Sequence, residues 1–147
     1  MPEVDFPYHR ALVTGGAGFI GSHLVEALLY RGAEVVVVDN LLSGRWANLE
    51  RLASPRLSCH QQDVRDRDAL SRRFQGVDVV FHLAASKKNI CLNNPHEDLS
   101  INTGGTLTVL QLALEHQVRR VVIASTGSVY GEAVVIPQTE THPLSPV

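Results

Sequence analysis

Residues Thr14 to Leu24 read TGGAGFIGSHL, with four glycines in eight positions. Glycine loses more conformational entropy on folding than any other residue, so a cluster needs a reason. Either the chain turns sharply there, or a ligand approaches its backbone closely. Gly15, Gly18 and Gly21 form G-x-x-G-x-x-G between a predicted strand and a predicted helix, the setting in which such a pattern holds a pyrophosphate. The first glycine serves the turn, the second admits the pyrophosphate, and the third lets the helix pack on the sheet. The phosphates then meet the free N–H groups and dipole of a helix N-terminus. A merely tight turn is the plainer alternative. Asp39 lies 18 residues after Gly21 at the end of the next apolar run. A carboxylate there accepts hydrogen bonds from the adenosine ribose hydroxyls and repels a 2′-phosphate, so the expected cofactor is NAD rather than NADP. The competing readings are that Asp39 caps the following turn, or that nearby Arg45 serves a 2′-phosphate.

The elements that must position these groups follow from pattern. RALVT (10–14) predicts a buried strand. From Gly18 the apolar residues Phe19, Ile20, Leu24, Ala27 and Leu28 keep helical spacing, and Gly32 closes that helix. AEVVVVD (33–39) and VDVVFHLAA (77–85) are apolar on both faces, as strands of a parallel sheet are. RLSCHQQDV (56–64) predicts a strand running into a loop, and RRVVIAST (119–126) a fifth strand. Helices are predicted over 45–52, 66–74 and, as one long helix, from about Asp98 to His116. Strand and helix alternate without a hairpin signal, which predicts an α/β fold: a Rossmann-type, doubly wound parallel sheet in three αβα layers. Beyond Gly131 the chain turns into a proline-rich loop. We expect one domain over residues 1–147.

The bulk numbers exclude several classes. Net charge is −2 from 13 basic and 15 acidic side chains, which argues against nucleic acid or a membrane surface as partner. No apolar run is long enough to cross a bilayer, and the N-terminus lacks a basic-then-apolar signal pattern. Cys59 and Cys91 stand far apart in no metal spacing, and read as free thiols of a cytoplasmic protein. The seven histidines are scattered singly, so no metal site is expected.

TGGAGFIGSHL, VVDN, DVRD, FHLAA, INTGGT and STGSVYG occur in this order along the chain. Together they resemble the extended short-chain dehydrogenase/reductase family, and within it the NAD-dependent nucleotide-sugar epimerases and dehydratases. The resemblance covers essentially the whole chain. It implies that the backbone of Phe19 and Ile20 meets the pyrophosphate and that Asp39 and Asn40 hold the adenosine ribose. It places Asp63 and Val64 at the adenine edge and lays Leu83, Ala84 and Ala85 along the cofactor. Lys87 matches a lysine that reaches the cofactor, with Lys88 as a rival. Asn102 matches an asparagine near the cofactor and the active site. Thr126 matches the catalytic hydroxyl that binds the substrate oxygen undergoing oxidation; a strand-end hydroxyl capping a turn is the plainer alternative. Tyr130 belongs to the VYG motif and is not the catalytic tyrosine.

The family's general base is the tyrosine of Y-x-x-x-K. The chain's tyrosines are Tyr8, Tyr30 and Tyr130, and none has lysine four residues later. The chain therefore resembles the N-terminal half of an enzyme about twice as long, inactive by itself. The activity implied is epimerisation of a nucleotide sugar, such as a UDP-sugar, by C4 oxidation with hydride transfer to NAD and re-reduction on the other face. A 4,6-dehydratase or decarboxylase is the first alternative, disfavoured because Gly127 and Ser128 cannot move protons near neutral pH. A non-enzymatic, redox-sensing NAD module is the alternative of another class. Relatives dimerise through their fourth and fifth helices, so a homodimer through the fourth helix is expected.

Overall fold

The computed structural model describes residues 6–146, without the side chains of Lys88 and Asn89. Five parallel strands form one sheet in the order β3-β2-β1-β4-β5. They are β1 (Arg10–Thr14), β2 (Glu34–Asp39), β3 (Leu57–Gln61), β4 (Val79–His82) and β5 (Arg120–Ile123). The helices are α1 (Phe19–Tyr30), α2 (Arg67–Ser71), α3 (Lys88–Asn93), α4 (Pro95–Leu99) and α5 (Thr106–Glu115), with a π turn (Ser100–Gly105) joining α4 to α5.

Alternate strand residues point to opposite faces, so the valine runs of the central strands feed two cores. On one face Ala11, Val13, Val35, Val37 and Val79 pack against Val25, Leu28 and Leu29 of α1. On the other, Leu12, Val36, Val38 and Val80 pack against Leu70, Phe74, Val109 and Leu112. The central strands are thus covered on both faces, the three-layer arrangement expected, while Val122 and Ile123 of β5 stay exposed.

The sheet grows outward from β1 in one direction to β2 and β3, and in the other to β4 and β5. The strands all run the same way, but the order in which they are added reverses between β1 and β4. In open α/β sheets, ligands bind at the carboxyl ends of the strands beside such a switch.

Three predicted helices differ in the structure. The segment 45–52 forms two 3-10 turns, Trp46–Asn48 and Glu50–Leu52. The Ala17 carbonyl explains this: it accepts the Arg45 N–H and the Asn48 side-chain amide, tying the segment to the glycine loop. The helix predicted over 66–74 is only Arg67–Ser71, capped by the Asp66 side chain on the Ala69 N–H. The long helix begins at Pro95 rather than Asp98, because Asn94 caps it through the Glu97 N–H and proline is preorganised for the first helical position. It is also broken by the π turn. The Cβ that Gly105 lacks would lie 2.6 Å from Val64 Cγ2, so only glycine lets this turn press on Val64. α3 was not foreseen.

A groove at the switch of the sheet

The glycine loop sits where β1 and β4 diverge. Gly15 has φ +71°, and a Cβ there would lie 2.7 Å from the Ala84 nitrogen. The loop needs this glycine twice, for its left-handed backbone and for its contact with the end of β4. Gly21 is the tighter case. Its Cβ would lie 2.3 Å from the Gly15 carbonyl oxygen, so α1 can rest on its own loop only with glycine there. Gly18 differs: it is extended at φ −76°, and a Cβ would meet only the Gly15 oxygen at 3.2 Å. The fold constrains this position less than Gly15 or Gly21: a side chain there would need the Gly15 carbonyl to give by a few tenths of an ångström.

Gly18 is also the N-cap of α1 and supplies no side-chain acceptor. The first N–H groups of a helix have no intrahelical partner, and no acidic residue stands in this first turn. Those of Phe19 and Ile20 are therefore available to an anion. The two side chains point outward, 80% and 68% exposed.

Asp39 closes the other side. Its side chain is buried, with Oδ2 accepting the Ala17 N–H at 3.0 Å and Oδ1 the Leu41 N–H at 2.8 Å. Carboxylate oxygens carry about four acceptor positions in all, so two remain for a ligand. A Cβ on Gly44 would lie 2.8 Å from Asp39 Oδ2 and 2.9 Å from Ala17, so only glycine lets this segment pass so close to the carboxylate.

One groove joins these parts. Gly15, Gly18, Asp39 and Asn40 line it from the loop side, and Val64, Leu83, Ala84 and Ala85 from the other. Sequence reasoning missed Ser43, Gly44, Gln62 and Ile101, which also line it. A serine-glycine pair soon after the strand-end Asp39 was the available signal for the first two. Gln62 and Ile101 come from distant segments, and only the topology brings them together.

The remaining candidates, Asp63, Lys87, Asn102 and Thr126, are not among the residues that line the groove. Asp63 is clamped by Arg65: its Oδ1 accepts Arg65 Nε at 2.9 Å and its Oδ2 accepts an Arg65 terminal nitrogen at 2.8 Å. Asn40 donates to the same Oδ2 at 3.1 Å. The guanidinium holds the Asp63 carboxyl down at about 2, against burial, which pushes the other way. Arg65 also reaches Glu97 at 2.7 Å. Asn102, in the π turn, accepts the Ser86 N–H at 2.9 Å and donates to Ser86 Oγ and Asp98. Lys87 is exposed at the start of α3, and the Lys88 side chain lies outside the described residues. Thr126 is exposed beyond β5, and its Oγ1 accepts the Ser128 N–H at 3.1 Å. Its hydroxyl caps a 3-10 turn over Gly127–Tyr130 and keeps its own proton to donate.

The family described as "NAD dependent epimerase/dehydratase family" matches residues 11–147. The chain belongs to that family. It is 41% identical over 138 residues to the UDP-glucose 4-epimerase of Halalkalibacterium halodurans, covering 92% of this chain and 40% of that protein. It is 42% identical over 135 residues to UDP-glucuronic acid decarboxylase 1 of Arabidopsis thaliana, covering 90% and 30%. Among solved structures, the dTDP-glucose 4,6-dehydratase DesIV of Streptomyces venezuelae, with NAD and TYD bound, superposes with a TM-score of 0.82 at 42% identity, covering 93% of this chain and 45% of that one. The chain thus spans less than half the length of the relatives it matches. NAD is the cofactor of the family, and the side-chain-free Gly18, the free helix N-terminus and the groove-lining Asp39 are of a chemistry that fits its pyrophosphate and ribose. Among the described residues no group of side chains could hold a metal ion, and no helix is long and apolar enough to cross a membrane.

Proposed function

We propose that this chain is the NAD-binding part of a nucleotide-sugar 4-epimerase that acts on a UDP-sugar. The observation that carries the cofactor assignment is the pairing of Gly18 with Asp39 across one groove. The first leaves room for a pyrophosphate that the fold does not need, and the second presents a carboxylate to a ribose.

NAD supplies the site with an acceptor and donor of hydride. The chain's own residues bind and orient. The N–H groups of Phe19 and Ile20 take the phosphate charge, and Gly15 keeps the loop low. Asp39 and Asn40 hold the adenosine ribose, Asp63 and Val64 receive the adenine, and Leu83 to Ala85 form an apolar wall that excludes water. Lys87 and Asn102 stand toward the nicotinamide end. The Thr126 hydroxyl donates a hydrogen bond to the sugar oxygen at the reacting carbon. It is a poor base near neutral pH, so the proton is removed by a tyrosine of Y-x-x-x-K lying outside this chain. The 147 residues bind cofactor and do not turn over.

Gly127 and Ser128 after Thr126 favour the epimerase over a dehydratase or decarboxylase, whose eliminations need an acid and a base. Thr126 favours an enzyme over a redox-sensing module, which has no use for a substrate hydroxyl contact. Leu107, Leu110 and Leu114 form an exposed apolar stripe on α5, which supports a homodimer through this helix. The two exposed free cysteines suit the reducing cytoplasm. Calorimetric titration of the chain with NAD tests the cofactor assignment: saturable binding at one site supports it, and none overturns it. Assay of the coding sequence extended past Val147, with UDP-glucose, tests the reaction.

A further inference from the structure

We propose that His82 is a positioning residue, which locks the π turn of Asn102 to the groove wall through a directed chain of hydrogen bonds. This rests on the reading of the groove as a dinucleotide site. His82 ends β4 and is 3% exposed. Its Nδ1 lies 2.7 Å from Thr14 Oγ1, and its Nε2 lies 2.9 Å from Thr106 Oγ1.

The outer partners settle which way each proton points. A carbonyl oxygen cannot donate, so the Thr106 hydroxyl donates to the Asn102 carbonyl. Thr106 Oγ1 must therefore accept from the ring, and Nε2 carries the hydrogen. At the other end Thr14 Oγ1 accepts the Ala84 N–H at 3.3 Å, which leaves its own proton for Nδ1. The chain runs from Ala84 through Thr14, His82 and Thr106 to Asn102, and each hydrogen is used once. It requires the neutral ring, and burial pushes the His82 pKa down in the same sense.

The two ends of this chain matter to the groove. Ala84 lines it. The π turn presses Gly105 on Val64, contributes Ile101 to the lining and fixes Ser86 through Asn102. A turn of π geometry is uncommon within a helix and needs support. The Thr106 hydroxyl takes the Asn102 carbonyl, and His82 holds Thr106. His82 itself is absent from the groove lining and acts only through these neighbours.

The test uses the 147-residue chain labelled with nitrogen-15. Long-range correlation of the imidazole nitrogens at pH 7 should show His82 neutral, with Nε2 protonated and Nδ1 bare. Thr106→Val keeps the branched shape and deletes the link. It should displace the His82 Nε2 and Ser86 amide resonances and raise the NAD dissociation constant about tenfold, the worth of one such bond. Thr106→Ser keeps the hydroxyl and should restore all three. A His82 ring protonated at Nδ1 overturns the proposal. So does a folded Thr106→Val protein with its Ser86 resonance and NAD affinity unchanged. If the unsubstituted chain fails to bind NAD, the reading of the groove falls, while the tautomer and the Ser86 resonance still decide the positioning role.

Discussion

Asp39 Oδ2 accepts the Ala17 N–H at 3.0 Å, joining the end of β2 to the middle of the glycine loop. The carboxylate thus has two duties: it braces the loop and faces the groove. We expect the chain to bind NAD far more tightly than NADP. Asp39→Ala should weaken NAD about tenfold or more, since bonds to charged groups are stronger than neutral ones. It should also narrow the gap to NADP by removing the repulsion of a 2′-phosphate. Calorimetry with both cofactors measures this, and equal affinities in the unsubstituted chain would contradict it.

The glycines of the loop should separate by phenotype. Gly18→Val should yield a folded protein that no longer binds NAD, because the fold needs only a small shift of the Gly15 carbonyl to admit the side chain, while a pyrophosphate there would be blocked. Gly21→Ala should impair folding itself, because its methyl would meet the Gly15 carbonyl at 2.3 Å. Thermal unfolding alongside NAD titration distinguishes the two.

The Asp63–Arg65 clamp predicts an acid response. The Asp63 carboxyl titrates near 2 in the folded chain against 3.8 ordinarily. A lowered carboxyl pKa means that the unfolded state binds the proton first. The clamp's contribution is therefore complete above pH 3.8 and fades as the pH falls toward 2. Arg65→Gln should lower the urea midpoint at pH 7, and the difference from the unsubstituted chain should shrink by pH 2.5. A difference constant across that range would show that the pair is not coupled.

Thr126 should matter for turnover and not for cofactor. In the protein extended past Val147, Thr126→Val should depress epimerisation of a UDP-sugar while leaving NAD affinity unchanged. The 147-residue chain should show no turnover, since a positioned base contributes typically about 10² to 10⁴ in rate. Product analysis for the C4 epimer, with NAD titration in parallel, checks both statements. Turnover undiminished in Thr126→Val would remove the hydroxyl from the reaction.

The strands and the first helix were legible because their signals are local. The valine run of β2 can only be buried on both faces, and Gly15 marks a turn whatever surrounds it. The π turn was not legible, because the close approach of Gly105 to Val64 joins residues 41 apart in the chain. The earlier start of α4 carries a local signal, since Asn94-Pro95 is a capping pair, whereas the leucine spacing begins only downstream. For the site, the loop and Asp39 announced themselves by type and position. Gln62 and Ile101 carry no chemical signature and enter the groove only through the sheet order. His82 is one of seven scattered histidines in the sequence, and its two threonine partners lie 68 and 24 residues away.

The two margins of the sheet are unlike. β3 presents Leu-Ser-Cys-His-Gln at one edge, a mostly polar strand. β5 presents Arg-Val-Val-Ile at the other, with Val122 and Ile123 40% and 47% exposed. An apolar strand with unpaired backbone groups is a template for another strand, and a polar or charged edge resists such pairing. Self-association of the 147-residue chain into aggregates should therefore start from β5. A lysine at Val122 would act as a gatekeeper, keeping the chain dispersed at concentrations where the unsubstituted one precipitates.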